Sequence, residues 1–317
     1  MAVWCERGES ATDVTAGARP WHTRVVTPSA LEVAVIHHAT PTLLARCLEA
    51  LADHAPDVDV RVVDTAFDPS LARLLDGAHP RLTWTAVPNH SLAAGVNAAL
   101  RRATRPFIAH MNADVFVGAG TLEALLAAMD DETVAMAGPL ALTEAGAVQD
   151  LGLPYRWHYA RVRWQRRHAS RTPAAVDVPW LSGCLQLVRL SAVQRVGGMD
   201  ASLRFYNEDL EWCLRLRRAG YRCRLVGTEV VHQGGAATPA GPRFLVEGLR
   251  GGYVVSRRYA PPLVRAGHRL AVALSAEVAT RAASDGARRS AWREVARRFR
   301  ANDLDRSGFG ATLDDDA

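Results

Sequence analysis

The sequence contains no lysine, so all 38 of its basic side chains other than histidine are arginines. Without lysine the chain cannot form a G-x-x-x-x-G-K-[ST] loop, which excludes a P-loop nucleotidase. It also has no G-x-S-x-G segment, which excludes the nucleophile elbow of an α/β-hydrolase. The formal net charge of +5 is small for a chain of 317 residues. Nucleic acid is therefore not an expected partner, although a local basic patch could still meet an anionic surface.

Cysteine is scarce, and its spacing excludes two further classes of protein. The five cysteines are scattered and form no C-x-x-C pair, which argues against a disulfide scaffold and a zinc site and fits a reducing cytosol. The first twenty residues contain acidic side chains and no apolar core, unlike a signal peptide. No apolar run approaches the roughly 18 residues of a membrane-spanning helix. We expect a cytoplasmic protein, and peripheral contact with the inner face of a membrane stays open.

Apolar strands alternate with helical segments over the first half of the chain. The strand-like segments are "LEVAVIHHA", "VDVRVVD", "LTWTAV" and "PFIAHMNADVFV", and helical spacing follows in "TPTLLARCLEALADHA", "SLAAGVNAAL" and "GAGTLEALLAAMD". This order predicts an α/β fold with a mainly parallel sheet flanked by helices. We expect a loosely ordered extension over residues 1–30, the α/β domain over 31–235, and a helical, arginine-rich C-terminal extension with an acidic tail over 236–317.

Carboxylates follow two of the predicted strands, at the edge where α/β sheets bind ligands. Asp64 comes directly after a buried run, where it could accept hydrogen bonds from a base or a ribose, or cap a turn. Asp114 lies within an otherwise apolar segment, where a charge is costly unless it is paired or binds a metal. A turn at the end of the strand explains Asp114 equally well.

The segment "RFYNEDLEWCLRLRRAGY" places three carboxylates among aromatic side chains. Asn207 is a plausible N-cap, Glu208 and Asp209 fall in the first helical turn, and Gly220 suits the position after the last turn. Helix capping explains these charges. A carboxylate at a helix N-terminus near apolar walls is also suited to act as a general base. His232 ends a later strand, as a structural histidine or as a metal ligand.

Taken in order, these segments resemble the family 2 glycosyltransferases with the GT-A fold, and in particular the rhamnosyltransferase-like branch. "VVDTAFD" resembles V-V-D-N-x-S-x-D, "NHSLAAGVNAAL" resembles N-x-G-F-A-x-G-x-N, and "HMNADVFV" resembles L-N-P-D-V, the local form of the Asp-x-Asp motif. The most specific match is the block from "GCLQLVRL" to "AGYRCRLV", which contains the E-D pair. "VVHQGG" resembles the closing histidine motif. The similarity covers roughly residues 31–260.

The resemblance implies an inverting, metal-dependent transfer of a sugar from a nucleotide-sugar donor to a hydroxyl group. Asp209 aligns with the catalytic base, with Glu208 in support, and Asp114 and His232 align with the ligands of Mg²⁺ or Mn²⁺. The expected donor-binding residues are Asp64, Asp68, Asn89, Asn97, Asn112 and Gly183. We expect the acceptor, which is a glycan, a lipid-linked or a small molecule, to meet Trp180, Phe205, Tyr206 and Trp212.

Several alternatives stay open. Thr65, Ser91 and Asn112 depart from the family pattern, so a catalytically inactive nucleotide-sugar-binding relative remains an alternative. A nucleotidyltransferase is another, although "VIHHATPT" lacks the Gly-rich loop such enzymes carry after the first strand. The segment from Tyr155 to Arg167 alternates aromatic and basic residues, as an acceptor surface or a solvated loop would. The arginine-flanked apolar run "LAVALSAEVA" predicts either an interfacial helix or one packed back on the domain.

Overall fold

A computed structural model describes residues 28–149, 175–234 and 241–313. Outside these ranges lie most of the expected N-terminal extension, the aromatic and basic segment from Tyr155 to Arg167, and nearly all of the acidic tail. The expectations stated for those segments are therefore not addressed by the structure. Within the described ranges, a short 3₁₀ turn at Pro28–Ala30 leads directly into the first strand.

The described residues form a sheet and a set of helices whose order follows the predicted alternation. The strands are β1 (Leu31–His37), β2 (Asp59–Asp64), β3 (Leu82–Ala86), β4 (Phe107–Asn112), β5 (Val115–Phe116), β6 (Val134–Leu142), β7 (Ala175–Val178), β8 (Leu185–Arg189) and β9 (Arg222–His232). The helices are α1 (Pro41–His54), α2 (Leu71–Leu75), α3 (Leu92–Leu100), α4 (Thr121–Ala127), α5 (Leu190–Val196), α6 (Glu208–Arg218), α7 (Pro242–Tyr259), α8 (Pro262–Ala282) and α9 (Gly286–Ala301).

The strands form one sheet in the order β3-β2-β1-β4-β8-β6-β9-β5, and β7 also pairs with β9. The four strands from β3 to β4 run parallel, as the alternation of strands and helices predicts. The other half is mixed, because β8 runs antiparallel to both β4 and β6 while β6 and β9 are parallel. The predicted α/β class with C-terminal helices is confirmed.

Helices cover both faces of this sheet, and the alternation of side chains along β1 shows how. Val33 and Val35 belong to the apolar cluster that contains α1, α2 and α4. Ala34 and Ile36 point the other way, into the cluster that contains α3, α5 and α6. Strands buried on both faces need apolar side chains at nearly every position, which is why the strand sequences are continuous apolar runs rather than alternating ones.

The predicted strand "PFIAHMNADVFV" is broken in the structure at Ala113 and Asp114. Before the break β4 pairs with β1 and β8, and after it β5 pairs with β9 instead. The chain must turn to change partners, and an Asn-Ala-Asp segment suits such a turn. Of the two interpretations of Asp114, the turn is therefore the correct one for its backbone.

Helix α6 begins and ends at the predicted positions, Glu208 and Arg218. Gly220 adopts a left-handed φ of +90°, and the N–H of Tyr221 donates to the carbonyl of Leu216 in a Schellman motif. Asn207 occupies the N-cap position with a left-handed φ of +71°, and its side chain makes no capping bond. The N-cap position of Asn207 is therefore as predicted, but its side chain does not cap the helix and donates instead to the carbonyl of Gly248 on α7 at 2.9 Å.

The C-terminal helices α7, α8 and α9 share a third apolar cluster, which includes Tyr253, Val272 and Phe299. A smaller cluster joins α7 to α6 through Leu203, Val254 and neighbouring apolar side chains. Among the described helices, none is long and apolar enough to cross a lipid bilayer. Of the two interpretations of the apolar run in α8, the structure supports packing against α7 and α9 for one face of that helix.

Candidate active site

Polar side chains from β1, β2, β4 and β9 gather at one edge of the sheet, where the parallel strands end. His37 is paired in register with Asp64, and Ile36 with Asn112. The N–H of Ala113 donates to the carbonyl of Ile36, and the N–H of Asn112 donates to the carbonyl of Cys184. These bonds join the ends of β1 and β4 to the segment that precedes β8. The edge is the place at which open α/β sheets bind ligands.

Asp64 is fully buried at this edge, and its carboxylate organises the turn that follows β2. Its oxygens accept hydrogen bonds from Nδ1 of His37 and from the backbone N–H groups of Ala66 and Asp68, at 3.0, 3.0 and 3.1 Å. The Thr40 N–H donates to Nε2 of His37, so the proton of the neutral imidazole lies on Nδ1. Burial holds the pKa of His37 below its usual value, against the raising effect of Asp64.

The geometry of Asp64 bears on its expected contact with a nucleotide. The side chain turns inward and has three donors in place, so it fixes the 65–68 turn rather than presenting a free carboxylate. The turn exposes Phe67, which is 59% exposed at a left-handed φ of +53°, and it carries the half-buried Asp68, whose Oδ1 accepts two bonds from Ser70. Those two bonds hold the pKa of Asp68 below its usual value.

Asn89 lies next to the same turn. Its amide nitrogen is 3.5 Å from Nε2 of His38, and Nδ1 of His38 is 3.1 Å from the hydroxyl of Thr65. The carbonyl of Asn89 accepts from the N–H of Leu313 at 2.7 Å. The C-terminal segment thus runs beside this corner of the site, where Arg204 also binds the carbonyls of residues 310 and 311.

Asp114 and His232 come together at the pairing of β5 with β9. Oδ1 of Asp114 is 3.4 Å from Nε2 of His232, and Oδ2 accepts from the N–H of Gly234 at 3.1 Å. Nε2 of Gln149 donates to the carbonyl of His232, so its Oε1 faces Nδ1 of His232 at 2.8 Å and accepts the Nδ1 proton. That bond directs Nε2 of His232 towards Asp114.

This arrangement has the chemistry of a metal-binding pair. A histidine ligand commonly donates its other ring N–H to a carbonyl oxygen, as His232 does to Gln149. Burial lowers the pKa of His232, but hydrogen bonds to Asp114 and Cys184 outweigh it and raise the pKa to about 10. A cation at this point would compete with that proton for Nε2. Within the described ranges no group of three or more metal-binding side chains is present, so the pair would need a substrate or water to complete a cation's shell.

Asp209 lies in the first turn of α6 and is held by backbone donors. The N–H of Gly183 donates to Oδ2 at 2.8 Å, and the N–H of Leu210 donates to Oδ1 at 2.7 Å. Burial raises the pKa of Asp209 above its usual range, and these bonds and the interaction with the Trp180 indole oppose that only in part. A Cβ at position 183 would lie 3.3 Å from the Cβ of Asp209, so the space beside Gly183 is filled by Asp209.

Glu208 precedes Asp209 and is only 5% exposed. Burial, and then the nearby charge of Asp209, raise the pKa of Glu208 to about 8. Its Oε2 makes no hydrogen bond to any described residue. Both effects favour the protonated form of Glu208 and disfavour a second negative charge on the two adjacent carboxyl groups.

The four aromatic residues expected at the acceptor site separate into two groups. Tyr206 is 58% exposed, and Phe205 packs against it in a tilted orientation with ring centroids 4.0 Å apart. Trp180 is half-buried beside Asp209. Trp212 is completely buried, and its indole N–H donates to the carbonyl of Gly197. The prediction that Trp212 contacts the acceptor is wrong, because one helical turn from Glu208 this face of α6 packs onto the sheet.

Asn97 is also placed away from a donor-binding role. Its amide donates to the carbonyl of Met199 at 2.8 Å and so ties α3 to the Gly197–Gly198 turn. A Cβ at position 198 would lie 2.2 Å from Oδ1 of Asn97, so only glycine fits beside it. The prediction that Asn97 contacts the donor is therefore wrong, because its side chain packs between α3 and the segment Gly198–Met199. Asn112 ends β4, immediately before the turn that holds Asp114.

The turn that precedes Glu208 and Asp209 was not predicted from the sequence. Tyr206 and Asn207 are consecutive non-glycine residues with left-handed φ angles of +62° and +71°. Such backbone costs of order 1–3 kcal/mol per residue and persists only when its surroundings fix it. A Cβ at Gly251 of α7 would lie 3.1 Å from Nδ2 of Asn207 and 3.3 Å from the carbonyl oxygen of Tyr206. Helix α7 therefore supports this turn by close backbone approach.

Two sets of residues around the site were not predicted, the glycines of α7 and Gln149, and only the glycines form a recognisable pattern in the sequence. Glycines at positions 248, 251 and 252, three and four residues apart, mark a helix face that can approach another backbone closely. Gln149 had no signal of this kind, because it lies 83 residues from His232 in the chain.

Residues 107–258 match the family described as "Glycosyl transferase family group 2". Among curated proteins, the pre-mycofactocin glycosyltransferase from two strains of Mycobacterium tuberculosis is 30% identical over 132 residues. This match covers 42% of the chain and 27% of the relative, so the chain spans only about a quarter of the length of the curated relatives it matches.

Solved structures share the fold at low sequence identity. GalNAc-T7, solved with UDP, GalNAc and Mn²⁺, matches with a TM-score of 0.57 and 12% identity, over 86% of this chain and 56% of that one. The mannosyltransferase PcManGT from Pyrobaculum calidifontis, solved with GDP-Man and Mn²⁺, matches with a TM-score of 0.53 and 18% identity, over 90% and 89% of the two chains. At these identities the likeness establishes the fold. The chain therefore has the GT-A fold, and the comparisons confirm its likeness to family 2 glycosyltransferases without singling out the rhamnosyltransferase-like branch.

Proposed function

We propose that the protein is an inverting glycosyltransferase that moves a sugar from a nucleotide-sugar donor to a hydroxyl group of a glycan, lipid-linked or small-molecule acceptor. One observation carries the proposal. The Gly183–Cys184 segment contacts Asp209 through the N–H of Gly183 and β4 through the carbonyl of Cys184, so a candidate base and a candidate cation site flank the same short strand end. A donor diphosphate and an acceptor hydroxyl must meet at such a place.

The turn after β2 is the proposed site of the nucleotide. Asp64 fixes the turn from within, while Phe67 offers an exposed aromatic face to the base and Asp68 a half-buried carboxylate to the ribose. Asn89 lies at the neighbouring corner beside His38. Gly183 acts through its backbone, since the space above it is filled by Asp209.

Asp114 and His232 are the proposed ligands of Mg²⁺ or Mn²⁺. Their oxygen and nitrogen donors suit these cations, and diphosphate oxygens and water would supply the rest of the shell. A bound divalent cation would offset the negative charge that builds on the leaving diphosphate. Gln149 keeps Nε2 of His232 directed towards Asp114, and the N–H of Gly234 holds the Asp114 carboxylate.

Asp209 is the proposed general base. Its carboxylate takes the proton of the acceptor hydroxyl as that oxygen bonds to the anomeric carbon, and the bond from that carbon to the diphosphate oxygen breaks. Burial raises the pKa of Asp209, which makes it a stronger base than an exposed aspartate. Burial and the neighbouring charge of Asp209 favour the protonated form of Glu208, which limits the negative charge at the site.

Residues 31–235 are proposed as the transferase domain, and the helical region 236–317 as its support. Helix α7 contacts the Tyr206–Asn207 turn through Gly248 and Gly251. A buried ion pair between Glu247 and Arg250 on the same helix extends this support, because Arg250 also donates to the carbonyl of Ser202 at 3.0 Å.

The test combines donor binding with turnover. Thermal unfolding of the purified chain is measured with UDP-, dTDP- and GDP-sugars, each with and without Mn²⁺. A ligand at about 100 times its Kd adds roughly 2.7 kcal/mol to the free energy of unfolding, which is a readily measured shift. We expect one nucleotide class to stabilise the protein and Mn²⁺ to increase the effect.

Asp209→Asn is then compared with Asp57→Asn, which makes the same chemical change at an exposed carboxylate. Release of nucleoside diphosphate from the identified donor should fall at least 100-fold in Asp209→Asn, since general base catalysis contributes about 10²–10⁴-fold. Donor binding should be retained in both variants. Unchanged turnover in Asp209→Asn would show that Asp209 is not the base. A folded protein that binds no nucleotide sugar would refute the proposed donor site.

A further inference from the structure

Helix α8 carries an exposed apolar stripe in addition to its buried face. Val272, Ala273 and Ala276 pack into the third apolar cluster. On the opposite side, large apolar side chains are 54–87% exposed: Leu263, Leu270, Leu274 and Val278. Their spacings of seven, four and four residues place them on one face of the helix, along about 22 Å of its axis. Each of these four side chains is more than half exposed, so no other described residue buries the stripe.

An arginine-rich groove continues the stripe at its C-terminal end. The groove lies between α8 and α9, encloses about 720 Å³, and is lined mainly by Glu277, Thr280, Arg281, Arg293, Arg297 and Arg300. Arg297 is paired with Glu294 and Asp303, and Arg300 with Glu277. Within the described ranges, Arg281 and Arg293 are exposed and form no ion pair. Arg281 follows Val278 by three residues and so lies on the side of α8 that carries the stripe.

The combination of an apolar stripe with uncompensated arginines selects one kind of partner. A single line of four aliphatic side chains is small beside the roughly 800 Å² that each partner of a stable dimer buries. A symmetric pairing of two copies along α8 would also bring the free arginines of both copies together. Among the described residues that line the groove, the one carboxylate, Glu277, is already paired with Arg300. An anionic lipid surface instead accepts aliphatic side chains at the acyl boundary and guanidinium groups at its phosphates.

We propose that α8 lies in the surface of an anionic membrane, with the Leu263–Val278 stripe at the acyl boundary and Arg281 and Arg293 at the lipid phosphates. This placement is peripheral and does not depend on the proposed transferase activity. It differs from a spanning helix, since the buried face of α8 stays packed against α7 and α9.

Vesicle flotation of the full chain tests the proposal. Vesicles of phosphatidylcholine alone are compared with vesicles that contain phosphatidylglycerol, at physiological and high salt. We expect binding to the anionic vesicles only, weakened by salt. The double variant Arg281→Gln/Arg293→Gln should bind about 30-fold more weakly, from about fivefold per arginine near a charged surface. Leu270→Gln/Leu274→Gln should reduce binding at least tenfold, with unchanged thermal unfolding.

The matched control is Arg73→Gln/Arg101→Gln, which removes two exposed arginines elsewhere and gives the same net charge. It should bind within about twofold of the unaltered protein. Failure of the unaltered chain to float with anionic vesicles would overturn the proposal. So would equal binding by the Arg281→Gln/Arg293→Gln variant, which would place the contact on another basic segment. Self-association in light scattering that disappears in Leu270→Gln/Leu274→Gln would show that a second copy covers the stripe.

Discussion

Gly251→Ala isolates the contribution of α7 to the active-site turn. The substitution adds one methyl group at the point where α7 approaches the left-handed Tyr206–Asn207 backbone. That methyl carbon would lie 3.1 Å from Nδ2 of Asn207 and 3.3 Å from the carbonyl oxygen of Tyr206. The second atom belongs to the backbone and cannot move alone. The next residue, Gly252, provides a matched control, because a Cβ there meets Asn207 at an ordinary 3.5 Å.

Both substitutions share one effect on the free energy of unfolding, helix stabilisation, but only one of them also introduces a steric clash. Replacing glycine by alanine within a helix stabilises it by about 1 kcal/mol at either position. Only Gly251→Ala adds overpacking, which costs about 1–3 kcal/mol. We therefore expect the free energy of unfolding of Gly251→Ala to be lower than that of Gly252→Ala by about 1–3 kcal/mol, measured by urea denaturation.

The effect on turnover should be larger than the effect on stability. Asp209 lies two residues after Asn207, in the first turn of α6, and a displacement of about 1 Å in a catalytic group can cost about 100-fold in rate. Release of nucleoside diphosphate should fall at least tenfold in Gly251→Ala and stay close to that of the unaltered protein in Gly252→Ala. If both variants unfold at the same urea concentration and turn over equally, α7 does not position this turn.

Three further outcomes follow from the geometry. The Glu208→Gln variant should gain stability relative to the unaltered protein as pH rises from 4.5 to about 8, because the raised pKa of Glu208 stabilises the fold only while the carboxyl is protonated. The same difference in urea midpoint between the two proteins at pH 5 and at pH 9 would contradict this. Glu123→Gln, at an exposed position, is the control. Gln149→Ala should weaken Mn²⁺ binding, measured by calorimetry, about 10–100-fold, because it removes the hydrogen-bond acceptor that orients His232. An unchanged Mn²⁺ affinity would place the cation elsewhere. His37→Ala should lower the free energy of unfolding by about 2–4 kcal/mol, because it leaves a buried cavity and removes one hydrogen-bond donor from Asp64. An equal loss of stability in His38→Ala, at a half-buried position, would contradict this.

The buried side of α6 shows why acidic residues in a short helix need a structure to be interpreted. Glu208, Asp209 and Glu211 all fit helix capping in the sequence. In the structure Glu211 binds Arg215 and accepts from the hydroxyl of Tyr259 at 2.6 Å, so it serves packing between α6 and α7. Glu208 is buried without a partner on Oε2, and Asp209 is held by backbone donors. Three neighbouring carboxylates thus have three environments and three different expected functions.

Local sequence patterns were enough to predict the α/β class, the order of the first strands and helices, and the edge of the sheet at which the functional groups lie. Apolar runs and helical spacing depend on local periodicity, and β1, β2, α1 and α3 appear close to where those patterns predict them. Gly220 was also predicted, because left-handed backbone favours glycine. These features depend only on residues close together in the chain.

The tertiary structure decided everything that depends on distant partners. It turned Asp64 inward by placing His37 beside it, buried Trp212 and used Asn97 for packing. It paired His232 with Gln149, brought Gly183 under Asp209, and set Gly251 against the Tyr206–Asn207 turn. A side chain's exposure, pKa and direction depend on which other segments fold against it. Local spacing in the sequence carries no information about those contacts, and only the packed chain provides them.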